Sequence, residues 1–135
     1  ISPDQSHYIL NSRINLTFDL NATAAGKLFL KYIDEPLREY YLSRMEFFPY
    51  TANTILTREA LEAELDTIEQ KGYSTEFEEI GLGISCVAVP ILKEDNTLFG
   101  TVSIIASSSV IMSVLDTALE PLHSCAGFIA GNILP

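Results

Sequence analysis

The residues that could do chemistry in this chain are few and scattered. His7 and His123 lie far apart, with no serine or cysteine signature beside either. A lone histidine in such a setting is a surface or hydrogen-bonded core residue before it is a general base. Glu76, Glu78 and Glu79 cluster in one short run. Strand alternation would place Glu76 and Glu78 on one face and Glu79 on the other, so the run reads as a solvated strand edge rather than a metal site. Cys86 and Cys125 have no metal or redox spacing and read as two buried thiols in a reducing cytoplasm. Gly81 and Gly83 precede a strand, not a helix, so they do not form a phosphate-binding loop. No nucleophile, acid–base pair, cofactor motif or metal-ligand set emerges, and the sequence gives no reason to expect an enzyme.

The stretch Gly72–Ser108 positions several of these residues. It reads as a meander of strands at Tyr73–Glu79, Ile84–Lys93 and Leu98–Ala106. Asp95-Asn96 suits a two-residue hairpin loop. That loop sets Ile91 opposite Gly100, Val89 opposite Val102 and Val87 opposite Ile104, all on one aliphatic face. The other face carries Cys86, Ala88, Pro90, Thr101, Ser103 and Ile105. In this register Ser103 lies opposite Ala88, and Cys86 pairs with Ile105. Such small side chains either leave room for a ligand or let a helix approach closely; the pattern alone allows both.

Around the meander, strands are expected at Ser6–Arg13 and Ile14–Leu20, the latter strictly alternating. A helix capped by Asn21 or Thr23 runs to Ile33, with Ala22, Gly26, Phe29 and Ile33 on its buried face and its small residues close to the sheet. Asp34 starts a short helix with Leu37, Tyr40 and Tyr41 inward. Thr57 caps a helix through Lys71 with the stripe Leu61, Leu65 and Ile68, ended by Gly72. A last helix carries Ile111, Leu115, Ala118, Leu122, Ala126, Ile129 and Ile133, with Pro121 inside it. Helices and antiparallel strands without regular βαβ alternation give an α+β domain, with helices covering a curved sheet.

With 135 residues and 47% hydrophobic content, the chain is expected to be one folded domain. Its net charge of −10 opposes phosphate backbones and anionic membrane surfaces. No apolar run is long enough to span a bilayer. The chain begins at Ile1 and is read as a fragment. Asn15-Leu16-Thr17 and Asn21-Ala22-Thr23 match glycosylation acceptors and are treated as chance matches.

Several ordered motifs carry a resemblance. Asn21-Ala22-Thr23-Ala24-Ala25-Gly26-Lys27 resembles the H-A-T-A-x-G-K stretch of IclR-type transcriptional regulators, with asparagine for histidine. Thr51–Thr54 resembles their T-P-x-T loop, with Ala52 for proline. Gly72-Tyr73 and Glu78-Glu79 match G-Y-x-x-D-x-E-E, and residues Gly83 to Pro90 resemble G-x-R-C-[IL]-A-A-P. Ser103-Ile104 matches the start of S-[IV]-S. The motifs keep their order from Ser12 to Leu134 and resemble the C-terminal effector-binding domain alone. The N-terminal winged-helix domain, and the first helix and strands of the effector domain, are expected to lie outside residues 1–135.

The resemblance implies a GAF-like fold with a small organic acid or related metabolite bound on one side of the sheet. The family's acidic contact falls on Glu76, its backbone contact on Cys86 and its serine contact on Ser103. Ala24, Ala25, Ile84 and Ile105 become walls. An ionised Glu76 repels a carboxylate, so it should accept from a ligand hydroxyl, or be protonated, while the anionic end meets backbone N–H groups. Glu76 stands for the usual aspartate, Ser85 for arginine, and Ile105 for a second serine. One hydroxyl fewer weakens the hold on a carboxylate and points to a less polar ligand, or to a degenerate domain that only oligomerises. The resemblance further implies no cofactor, contact with DNA only through the missing domain, a cytoplasmic location, and a homodimer or homotetramer.

Overall fold

A computed structural model describes residues 19–133. The elements are α1 (Ala24–Tyr32), α2 (Glu35–Arg44), α3 (Arg58–Lys71), β1 (Ser74–Phe77), β2 (Ile84–Leu92), β3 (Leu98–Ser107) and α4 (Ser108–Asn132). The strands form an antiparallel sheet in the order β1-β2-β3. The expected strands at Ser6–Arg13 and Ile14–Leu20 fall outside the described residues, except that Asp19 and Leu20 belong to the turn into α1. Among the described residues no helix is long and apolar enough to cross a membrane.

The register of β2 and β3 is the expected one: Val87 faces Ile104, Val89 faces Val102, Ile91 faces Gly100, and Ala88 faces Ser103. The turn reaches that register by a different route. Lys93 N–H donates to Thr97 O at 2.9 Å and Asn96 N–H to Lys93 O at 2.9 Å, which makes a three-residue loop with Asn96 at φ 64°. A register shift between Ile91 and Leu92 then restores the pairing. A loop one residue longer and one bulge cancel, so the side chains keep their faces.

The sheet lies between two apolar layers. Val87, Val89 and Ile91 pack with Ile111, Leu122 and Ala126 of α4. On the opposite face Cys86 and Ala88 pack with Ala24 and Leu28 of α1 and with Leu61, Leu65 and Ile68 of α3. Thr57 accepts from Ala60 N–H at 3.2 Å to open α3, and left-handed Gly72 closes it, both as read from the sequence. α4 carries Pro121 inside it, and Ile133 lies beyond its end, exposed.

The other helix faces differ from expectation. Thr23 caps α1 by accepting from Gly26 N–H at 2.9 Å. Ala24, Gly26, Lys27, Leu28 and Leu30 are buried, whereas Phe29 and Ile33 are only partly so. A Cβ on Gly26 would stand 2.6 Å from Leu20 Cα, so the small residue admits the preceding turn and not the sheet. In α2 the buried residue is Leu42, while Leu37 and Tyr40 are exposed. Arg38 anchors α2 instead: its Nε donates to Leu30 O at 2.7 Å and its Nη2 to Lys31 O at 2.8 Å, satisfying carbonyls at the end of α1.

Candidate functional site

The small face of the sheet is ordered in cross-strand rows. Glu76, Cys86 and Ile105 form one row across β1, β2 and β3. Ser74, Ala88 and Ser103 form the next, and Ile84 pairs with Ser107. Directly opposed residues share a face, so Glu76, Ile84, Cys86, Ser103 and Ile105 all look toward the layer of α1. Ala24 reaches the same layer and packs in the cluster with Cys86 and Ala88, and Ala25 beside it is half-buried.

The face is not uniform. Its β1–β2 part is closed: Glu76 is 1% exposed, Cys86 8% and Ala88 0%. Its β3 part is open: Ser103 is exposed and Ile105 is 51% exposed. Of the two readings of the small residues, helix approach holds over β2, while β3 presents open surface. Cys86 is buried as expected, but Cys125 is exposed on α4, which corrects the expectation of two buried thiols.

The glutamate run is the larger correction. It is not a solvated edge. β1 stops at Phe77, and Glu78 takes φ 54°. Glu79 turns inward and is 7% exposed. Its carboxylate accepts from Lys27 Nζ at 2.9 and 3.0 Å and from Phe77 N–H at 3.0 Å. Lys27 is 1% exposed; its ammonium also donates to Thr75 O at 2.9 Å and lies 3.6 Å from Glu64 Oε1. Glu79 N–H in turn donates to Glu76 Oε2 at 2.9 Å. Burial pushes the Glu79 carboxyl above its ordinary value, and the Lys27 ammonium and the Phe77 amide offset part of that rise.

The threonine loop closes this segment from outside. Thr51 Oγ1 donates to Glu78 O at 2.5 Å, and Thr54 Oγ1 donates to Glu79 O at 2.6 Å. Asn21, buried in the motif place of histidine, donates through Nδ2 to Ile55 O at 2.9 Å. Burial also removes Asn21 as a glycosylation acceptor. Lys27, Thr51, Thr54 and the inward turn of Glu79 were not assigned a role from the sequence. The available signal was Lys27 itself, one of two lysines in an otherwise largely apolar helix.

The remaining candidates are quiet. His7 lies outside the described residues, and His123 is exposed on α4. Among the described residues no group of histidine, cysteine, aspartate and glutamate could hold a metal ion. Gly83, at φ 82°, donates its N–H to Glu78 Oε1 at 2.8 Å in the turn before β2. A groove between α2 and α3 is lined by Glu39, Arg58 and Glu62, but there the arginine is already paired with both carboxylates.

Comparison with known proteins agrees with the geometry. Residues 1–130 match the family described as bacterial transcriptional regulator IclR C-terminal. The HTH-type transcriptional regulator KdgR of Dickeya chrysanthemi is 36% identical over 93 residues, covering 69% of this chain and 30% of that protein. The DNA-binding transcriptional repressor YiaJ of Escherichia coli is 32% identical over 117 residues, covering 84% of this chain and 42% of that protein. The chain thus spans less than half the length of these relatives. The crystal structure of the C-terminal domain of E. coli KdgR superposes with TM-score 0.76 at 29% identity, covering 83% of this chain and 69% of that one. The inducer-binding domain of PobR from Acinetobacter, a double mutant in complex with 3-hydroxybenzoic acid, superposes with TM-score 0.74 over 82% of this chain and 65% of that one; at 22% identity it shows the fold alone. These relatives are regulators, not enzymes, in line with the absence of a catalytic constellation in the sequence. Its ordered motifs, its α+β sheet between two helical layers and its family match place this chain in the IclR family of bacterial transcriptional regulators, as its C-terminal domain.

Proposed function

We propose that this domain senses a small organic acid or related metabolite and passes the signal to a DNA-binding part of the regulator outside residues 1–135. The observation that carries the reading is the shared face. Glu76, Cys86 and Ile105 stand in one row, Ser103 in the next, with Ile84 beside them and Ala24 across the layer. On this reading Ser103 donates to the ligand, the backbone at Cys86 supplies a polar contact, and Glu76 accepts from a ligand hydroxyl inside the layer. Ala24, Ala25, Ile84 and Ile105 form the walls. The inducer complex of the PobR domain supports effector binding by this fold. The ligand shifts an equilibrium between two domain arrangements by its unequal affinity for them. The regulator works in the cytoplasm, without a cofactor, as a homodimer or homotetramer.

The test is a thermal-shift and calorimetric screen with pyruvate, gluconate and 3-hydroxybenzoate, one simple, one sugar and one aromatic acid. At least one should raise the melting temperature, and Ser103→Ala should weaken its binding by about 0.5–1.5 kcal/mol for a neutral partner group, more for a charged one. A binding acid whose affinity ignores Ser103→Ala would place the pocket elsewhere. Silence across the panel would favour a second reading, a degenerate domain that only oligomerises. The exposed Ile105, where many members carry a second serine, favours that alternative.

A further inference from the structure

The buried charges behind the site need their own account. Lys27 is among the largest fully buried side chains of the domain, and nothing in packing alone requires a lysine and a glutamate there. A buried ion pair adds little stability over apolar residues of similar volume. What distinguishes this pair is what it holds. Lys27 Nζ grips both oxygens of Glu79 and the carbonyl of Thr75, one residue before Glu76. The Glu79 carboxylate takes the Phe77 amide, one residue after Glu76. Thr54 fixes the Glu79 carbonyl, and the Glu79 amide then points at Glu76 Oε2, 2.9 Å away. The backbone on both sides of Glu76 and one oxygen of its carboxylate are thus tied to a single ammonium on α1.

We propose that Lys27 and Glu79 are positioning residues for the effector site. They set the carboxylate of Glu76 and couple it to the helix that bears Ala24 and Ala25, which the reading above makes the opposite wall. Lys27 stands one turn after Ala24 on the same buried helix, so a shift of α1 carries the ammonium with it. The wall and the acid then move as one unit. The inference rests on the effector reading for its consequence, but the positioning itself can be measured without a ligand.

The experiment uses the domain with ¹³C-carboxyl-labelled glutamate, followed by NMR and amide exchange. Lys27→Met/Glu79→Leu replaces the pair with apolar side chains. Protection at Val87 and Val89 should persist, reporting an intact β2–β3 pair. The amide of residue 79 should exchange about tenfold faster, the loss expected for one hydrogen bond to a charged group, and the Glu76 carboxyl resonance should shift. Glu79→Gln, which leaves one acceptor oxygen for both Lys27 and Phe77, should give a smaller change of the same sign and decides the matter if the double variant does not fold. Unchanged Glu76 resonance and residue-79 protection in the folded variants would overturn the proposal and leave the pair a packing feature. In the ligand arm, any panel acid that binds the wild type should bind the double variant about tenfold more weakly, and equal binding would also overturn it. If no panel acid binds the wild type, the effector reading fails while the NMR arm still judges the positioning.

Discussion

At the scale of single residues, Lys27 and Glu79 carry the largest consequences for stability. Lys27→Met leaves a carboxylate buried with no ammonium, which should cost about 3–5 kcal/mol in a denaturant titration. The Lys27→Met/Glu79→Leu variant should cost far less, because no charge is stranded; equal losses would mean the site is solvated. Glu79 also sets a pH dependence. Its folded-state value lies above the ordinary 4.5, so the native state takes up the proton first as pH falls. Stability from this group is therefore lost as pH rises from 4.5 through the folded-state value. The stability of the wild type relative to Glu79→Gln should shrink with rising pH across that window and stay flat above it. A difference that grows instead would show that Lys27, not burial, governs the carboxyl. None of this was legible in the glutamate run. Strand alternation assigns a face only while the strand lasts, and β1 ends before Glu79.

At the scale of elements, caps and stripes were legible where a helix buries a single face. α3 shows this: Thr57, Gly72 and the stripe between them all follow from the sequence. α1 shows the failure. It is buried on several sides, so no single stripe describes it, and Gly26 serves the turn at Leu20. Gly26→Ala would drive a Cβ to within 2.7 Å of backbone at Leu20. It should destabilise the fold by about 1–3 kcal/mol or more in a thermal melt. A neutral result would mean that the turn before α1 gives way. Gly72→Ala tests a different cost. At φ 78° the alanine Cβ has ordinary space but a strained backbone, and the loss should be about 1 kcal/mol.

At the scale of the whole molecule, the apolar surface matters. Phe99 and Ile105 on β3, and Met112 and Phe128 on α4, are each more than half exposed. Exposed apolar side chains in such number suit association. Light scattering at micromolar concentration should give at least a dimer, consistent with the assembly proposed above, and a clean monomer would count against it. The acidic balance, −10 overall, also matters at this scale. It opposes direct contact of this domain with DNA, so retention of the domain on duplex DNA at physiological salt would contradict the division of labour proposed here.

Local and periodic information determined the meander, its register and its two unlike faces. A pairing that shifts by one residue exposes a whole aliphatic row, and only one register buries Val87, Val89 and Ile91 together. The caps of α3 were equally local, each residue acting within a turn of its own position. What the tertiary structure decided was where those faces lead. Ala88 and Ser103 are partners across one ladder, yet one is sealed under α1 and the other is open, because the helix covers β2 and leaves part of β3 exposed. Lys27 and Glu79 stand 52 residues apart, and no period links them. Their pairing exists because α1 crosses the end of β1, where two charges removed from water must find each other.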